Sequence, residues 1–291
     1  MIYQGSKHEG PLPAGVVSIA DLRRLFSELQ AKAQEIGEKT ANGLKRPPDQ
    51  SEEQFQGYQN WVRQLFAVTF AVNGGRGEQA MYFSADALDL ETLPEPIESI
   101  HFDTSVMHKM AVQRDPLDRA AIFFDFRRPP LIDLSNVSGT PPPNNSSYFV
   151  IGANSTWVSA VHEAILKIIS RRQSPLRSMI YRRHAYDALL VVLGLPMSLW
   201  ASARLGALFD SFAQHAQPLP GLMRVYFFLL ALLTFRLLFS VARWLYPYIE
   251  LEGSRIPGMK TRLLFHAVVL STVARFAYDV GAWILRGAAV P

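Results

Sequence analysis

The sequence predicts an α+β soluble part followed by a three-helix membrane region, and three observations predict it. Charge is partitioned along the chain: residues 1–166 sum to −6, residues 167–183 to +6 and residues 184–291 to +4. Three long apolar runs follow the basic stretch. Ahead of it, apolar residues recur first at helical and then at strand spacing. The 291-residue chain is 49% apolar and 19% charged, which excludes a disordered chain. It has no cysteine, which excludes a disulfide scaffold, a thiolate metal site and a cysteine nucleophile.

Residues 1–63 are expected to form a tail and two helices. The tail, residues 1–16, is polar and proline-rich. Ser18 with Asp21 three residues on has the form of a capping box, and Leu22, Leu25, Phe26, Leu29, Ala33 and Ile36 then share a helical face. A second box, Ser51 with Gln54, opens a shorter helix. From residue 64 the period changes to that of strands. Strands are expected at Leu65–Val72, Gln79–Ser84, Ser99–Thr104, Val106–Val112, Ala120–Phe126, Leu131–Leu134 and Tyr148–Gly152. Asn73-Gly74 is the signal of the first hairpin. A helix then opens at Asn154 or Ser155 with Trp157, Val158, Val161, Ile165, Ile168 and Ile169 on one face.

Residues 173–187 form a basic juxtamembrane linker, and residues 188–291 the transmembrane domain. A helix rises about 1.5 Å per residue, so about 20 residues cross the hydrocarbon. Spans are expected at 188–209, containing Arg204; at 225–245, containing Arg236 and Arg243; and at 263–285, containing Arg275, Asp279 and His266. The third run could instead lie flat at the interface. Pro196 after Gly194 predicts a kink in the first. The collar Lys167, Arg171, Arg172, Arg177, Arg182 and Arg183 precedes the first span, whereas residues 210–220 contain no Lys or Arg. The positive-inside rule then places the N-terminus in the cytoplasm of an inner or plasma membrane. Met1–Gly15 has no apolar stretch of signal-peptide type, so the first span is expected to act as the insertion signal.

Seven short strands closed by one C-terminal helix with Trp157-Val158 near its start resemble the layout of pleckstrin-homology-type domains over residues 64–172. That resemblance implies a bent β-sandwich with the helix plugging one end. No ligand-binding motif of that superfamily matches, so it implies no binding residues here.

Motifs for catalysis are missing. Asn73–Gly77 is glycine-rich but has the spacing of a turn rather than of a phosphate loop. His162-Glu163 begins like a zincin helix, but Leu166 stands where the second ligand belongs. His101, Asp103 and His108 are a candidate metal or acid–base group, with His101 and Asp103 on one strand face. Asp86, Asp89 and Glu91 form an acidic loop. The expectation is a protein without enzymatic activity or cofactor.

Intramembrane ionisable residues are the stronger lead, because each costs at least ~2.5–3.5 kcal/mol at mid-bilayer. Arg204, Arg236, Arg243, Arg275 and Asp279 are the candidates. Arg204 and Asp279 lie at matching depth and could pair, which leaves Arg236 and Arg275 without an acidic partner. The basic collar is expected to face anionic lipid. The acidic soluble part argues against nucleic acid. The expected class is an effector or channel-like protein: a cytoplasmic domain binds a partner and homo-oligomerised spans perturb or gate the membrane. The alternative is a non-conducting scaffold that recruits a protein complex.

Overall fold

The computed structural model describes residues 5–131, 144–210, 219–253 and 259–288, with side chains at 5–131, 144–207, 221–253 and 260–282. It is α+β and divides into two units. One takes in residues 1–127, 143–178 and 247–254; the other takes in 128–142, 179–246 and 255–291.

The first unit is built on one six-stranded, wholly antiparallel sheet. Its strands are β1 (Ser6–Pro11), β3 (Thr69–Gly74), β4 (Gln79–Tyr82), β5 (Ile97–Asp103), β6 (Arg119–Asp125) and β7 (Ser147–Gly152), in the order β1-β7-β6-β5-β3-β4. Strand side chains alternate between faces. Phe70, Val72, Ile100, Phe102, Ile122, Phe124 and Val150 are therefore all buried on one side. Helices α1 (Ile19–Asn42) and α4 (Ser155–Ser170) contribute the apolar faces expected of them to the same core. Phe26 meets Phe70 edge-on at 5.9 Å, and the Trp157 indole donates to the Lys32 carbonyl at 3.1 Å, tying α4 to α1. Each fully buried side chain of this size stabilises the fold by about 1.5–3 kcal/mol.

Both capping boxes form. Ser18 and Asp21 exchange bonds at the start of α1, and Ser51 and Gln54 do so at α2 (Glu52–Gln64). Partial burial pushes the Asp21 carboxyl up, but the bonds from Ser18 and the Arg172 guanidinium 2.9 Å away outweigh it and hold it below its usual range.

Several expectations need correction. Residues 6–11 and 15–17 are strands rather than a loose tail: β1 pairs with β7, and β2 (Gly15–Val17) pairs in parallel with β8 (Ile249–Leu251). Val106–Val112 is a helix, α3, not a strand. Asp103 turns the chain there by accepting from both the backbone and the hydroxyl of Ser105 at 2.7 Å, and Gln113 closes the helix in the left-handed region. The strand expected at Leu65–Val72 starts only at Thr69, because Leu65 still closes the last turn of α2. The hairpin turn is longer than two residues: Gly74 donates to Glu78, and Gly77 takes a φ of 77°. Residues 132–134 of the expected strand lie outside the described residues.

The second unit contains three helices long and apolar enough to cross a membrane: Ala185–Ala207, Gly221–Leu245 and Lys260–Ala282. The first comprises α6 (Ala185–Leu189), a π-helical turn at Leu190–Gly194 and α7 (Leu195–Asp210). Pro196 has no N–H for the carbonyl four residues back, and the wider turn accommodates that gap. Gly194 lets α8 (Leu219–Leu245) approach: a Cβ there would stand 3.0 Å from the Phe235 ring. The third lies within α9 (Met259–Ala288).

Candidate functional site

Residues 247–253, which lie between the second and third long apolar helices, are folded into the first unit. β2 is gripped on both edges. On one edge the Gly15 N–H donates to the Tyr248 carbonyl at 2.9 Å, and the Glu252 N–H to the Val17 carbonyl at 2.8 Å. The Tyr248 hydroxyl reaches the Leu12 carbonyl at 2.8 Å, and burial raises that phenol's pKa. On the other edge Val16 donates to Arg172 at 3.2 Å, and Ser174 to Ala14 at 3.0 Å. A Cβ on Gly15 would stand 2.3 Å from the Arg172 carbonyl oxygen, so only glycine fits between the two segments.

A buried ion pair closes this joint. Arg177, on α5 (Pro175–Ile180), donates to the Pro247 carbonyl at 2.6 Å and to the Glu250 carboxylate. Its side chain is 4% exposed and that of Glu250 10%. Two charges so far from water are sustained only when paired and hydrogen-bonded. Arg177 was expected in the lipid-facing collar, and the structure corrects this: it is a structural bolt within the soluble unit. Arg172 is exposed but is held by Asp21. Lys167, Arg171, Arg182 and Arg183 are exposed, as a collar requires.

Among the polar residues of the long apolar helices, the Arg204 Nη2 lies 2.8 Å from Asp279 Oδ2, the pairing that equal depth anticipates. The Trp200 indole donates to the same oxygen at 3.1 Å. Arg275 is not without an acidic partner, as expected from the sequence, for its Nε lies 3.6 Å from Asp279 Oδ1. Arg243 is buried, its guanidinium 4.5 Å from the Phe239 ring centre. Arg236 lies within electrostatic reach of Tyr186.

Of the candidates in the first unit, the structure keeps His101 and Asp103 together and sets His108 apart. His101 and Asp103 share the outer face of β5, but the His108 Nδ1 meets the Arg114 carbonyl at 2.9 Å and its ring lies against Phe66. Asp86 and Asp89 organise local turns with Ser84 and Glu91. Among the described residues no three His, Asp or Glu side chains are placed to hold a metal. His162 is half-buried, its ring stacked on His8 at 4.5 Å and tilted against Tyr148. Desolvation, aided by His8, lowers its pKa.

A groove of about 660 Å³ opens on the sheet face away from α1 and α4, and His101 and Asp103 of the candidate group read from the sequence both line it. His101, Ala121 and Phe149 floor it, and Lys109 and Met110 of α3 wall it. Arg119 sits over the Phe149 ring at 5.5 Å and pairs with Asp115, whose carboxyl it holds below the usual range. The volume is that of a small-ligand or side-chain pocket. Comparison of the chain with protein-family models, characterised proteins and solved structures gives no match.

Proposed function

We propose that this chain is an inner-membrane effector in which a cytoplasmic binding module controls three spanning helices that act together as a homo-oligomer to perturb or gate the bilayer. One observation carries the proposal: the segment between the second and third long apolar helices is a strand-forming, ion-paired part of the soluble unit. A domain that only rides on an anchor has no need of such a joint. A domain that moves helices does, because a change around β2 is transmitted to the end of one helix and the start of the next through residues 247–254. The joint puts residues 5–131, 144–178 and 247–253 on one side, whichever side that is, and the positive-inside rule makes it the cytoplasmic one.

In this reading the soluble unit binds a partner through its open sheet face, and the role is non-enzymatic. Its resemblance to pleckstrin-homology-type domains is one of layout, supported by the antiparallel strands and by Trp157 near the start of the closing helix. Exposed Lys167, Arg171, Arg182 and Arg183 contribute attraction to anionic lipid of about 1 kcal/mol each near the surface.

The test is membrane potential, followed with a dye on induced expression in bacteria. Depolarisation by wild type, lost in Arg236→Leu at equal abundance, is expected. An intact potential with the wild type, with and without a partner captured on the soluble unit, overturns gating. The groove favours a second reading, a scaffold that docks a protein and uses the helices as anchor. Exchanging residues 184–246 and 255–291 for unrelated spans while keeping 247–254 separates the two. A scaffold survives that exchange and an effector does not.

A further inference from the structure

Arg204, Arg224 and Asp279 each lie three residues from an end of their apolar segment: the last residues of Ala185–Ala207 and Lys260–Ala282 and the first of Gly221–Leu245. If the three helices cross, as proposed above, these ends share one side of the membrane. It is the side opposite the joint, which connects the end of the second helix to the start of the third. At about 1.5 Å per residue the groups sit about 4–5 Å inside the apolar boundary, where phosphates are within reach of an arginine side chain.

Among the described side chains around Asp279 the charges do not balance. One carboxylate, with its side chain 7% exposed, faces two guanidiniums: Arg204 at 2.8 Å and Arg275, one turn deeper, at 3.6 Å. The Trp200 indole supplies a further donor to the carboxylate. Asp279 thus draws both arginines inward from one edge, while their side chains remain 58% and 64% exposed. Arg275 also lies over the Tyr278 ring at 5.8 Å, which limits where its outer edge can point. The trio has a net charge of +1 in a medium that solvates charge poorly, and such a site takes an anion. Two guanidinium forks fixed by a common carboxylate suit the oxygens of a phosphodiester. The molecule that presents one at this depth is a phospholipid.

We infer that Arg204 and Arg275, aligned by Asp279, bind the headgroup phosphate of an anionic phospholipid on the side of the membrane opposite the soluble unit. This rests on the spanning arrangement proposed above, and the experiment separates the two. Membranes carrying the full chain are first washed with alkaline carbonate; release of the wild type would overturn the spanning arrangement itself. Protein that is retained is purified in detergent, incubated with phosphatidylglycerol and phosphatidylcholine, and its bound lipids counted by native mass spectrometry. The wild type is expected to retain phosphatidylglycerol selectively. Loss of one arginine should weaken retention about fivefold and of both about 25-fold. Arg204→Lys with Arg275→Lys should keep only part of the selectivity, because an ammonium keeps the charge without the fork, and Asp279→Asn, whose amide oxygen can still align the arginines while the negative charge is gone, should not lower it. Equal retention by wild type and by Arg204→Gln with Arg275→Gln overturns the inference. Displacement of the lipid by millimolar inorganic phosphate also overturns it, making the site one for free anions.

Discussion

Two arginine–carboxylate sites, built from the same chemistry, do opposite things. At Arg177–Glu250 one guanidinium meets one carboxylate, a backbone carbonyl takes a further N–H, and both side chains are nearly sealed from solvent. At Asp279 one carboxylate is shared by two arginines whose outer edges stay open. The first site sets a cation against an anion away from solvent, so it holds pieces of chain together. The second is unbalanced and unsaturated, so it has capacity left for something outside the protein. Stoichiometry and exposure, not residue type, separate a bolt from a binding site.

That contrast can be broken by mutation. The largest effect is expected at the closed site. Arg177→Met or Glu250→Met alone should cost about 3–5 kcal/mol, because each leaves a charge buried and unpaired, while the double variant should recover most of the loss. Denaturation of the purified full chain in detergent measures this, and a double variant as unstable as the singles would deny the pairing. Gly15→Ala drives a methyl into the Arg172 carbonyl and should cost about 1–3 kcal/mol, with faster proteolysis at residues 247–254. Asp279→Asn, at the open site, should cost only about 1 kcal/mol in helix association. Away from both sites, the lowered pKa of His162 has a definite sign. The unfolded chain protonates first as pH falls, so stability is full above the ordinary histidine value near 6.5 and declines below it. His162→Phe should flatten that part of a Tm-against-pH curve. The smallest effect belongs to the exposed pair Arg46–Glu52: Arg46→Ala should change stability by less than about 0.5 kcal/mol.

What was legible in the sequence was local. The capping boxes at Ser18 and Ser51 act over three residues, and the apolar runs declare themselves by length. Arg204–Asp279 was readable because depth along a span is a one-dimensional coordinate, which sequence supplies. The same coordinate missed Arg275, whose reach to Asp279 is set by one turn of its own helix. β1, Ser-Lys-His-Glu-Gly-Pro, has no apolar alternation, and its partner β7 lies some 140 residues away. β8 is three residues long and buried throughout, so it has no two-sided pattern to detect. α3 shows the usual ambiguity of a short, largely apolar stretch, which the two bonds that Asp103 accepts from Ser105 resolve. Arg177 sat in a run of basic residues whose common role seemed obvious. Only its partner, 73 positions away, distinguishes it from the rest.

The position of β8 also sets a timetable for the protein's making. Synthesis runs from the N-terminus at about 5–20 residues per second. The sheet and its helices are complete once residue 178 has emerged, but the outer edge of β2 and the cavity around Arg177 wait for residues 247–251. For about 4–15 s the nascent chain carries an unmated strand and an unneutralised arginine. In the spanning arrangement proposed above, two apolar segments must also be placed in the bilayer in that interval. Correct insertion of the helical hairpin is what returns β8 to the compartment where β2 is waiting. In that arrangement a chain that fails to insert leaves β2 without its partner strand, open to chaperones and proteases.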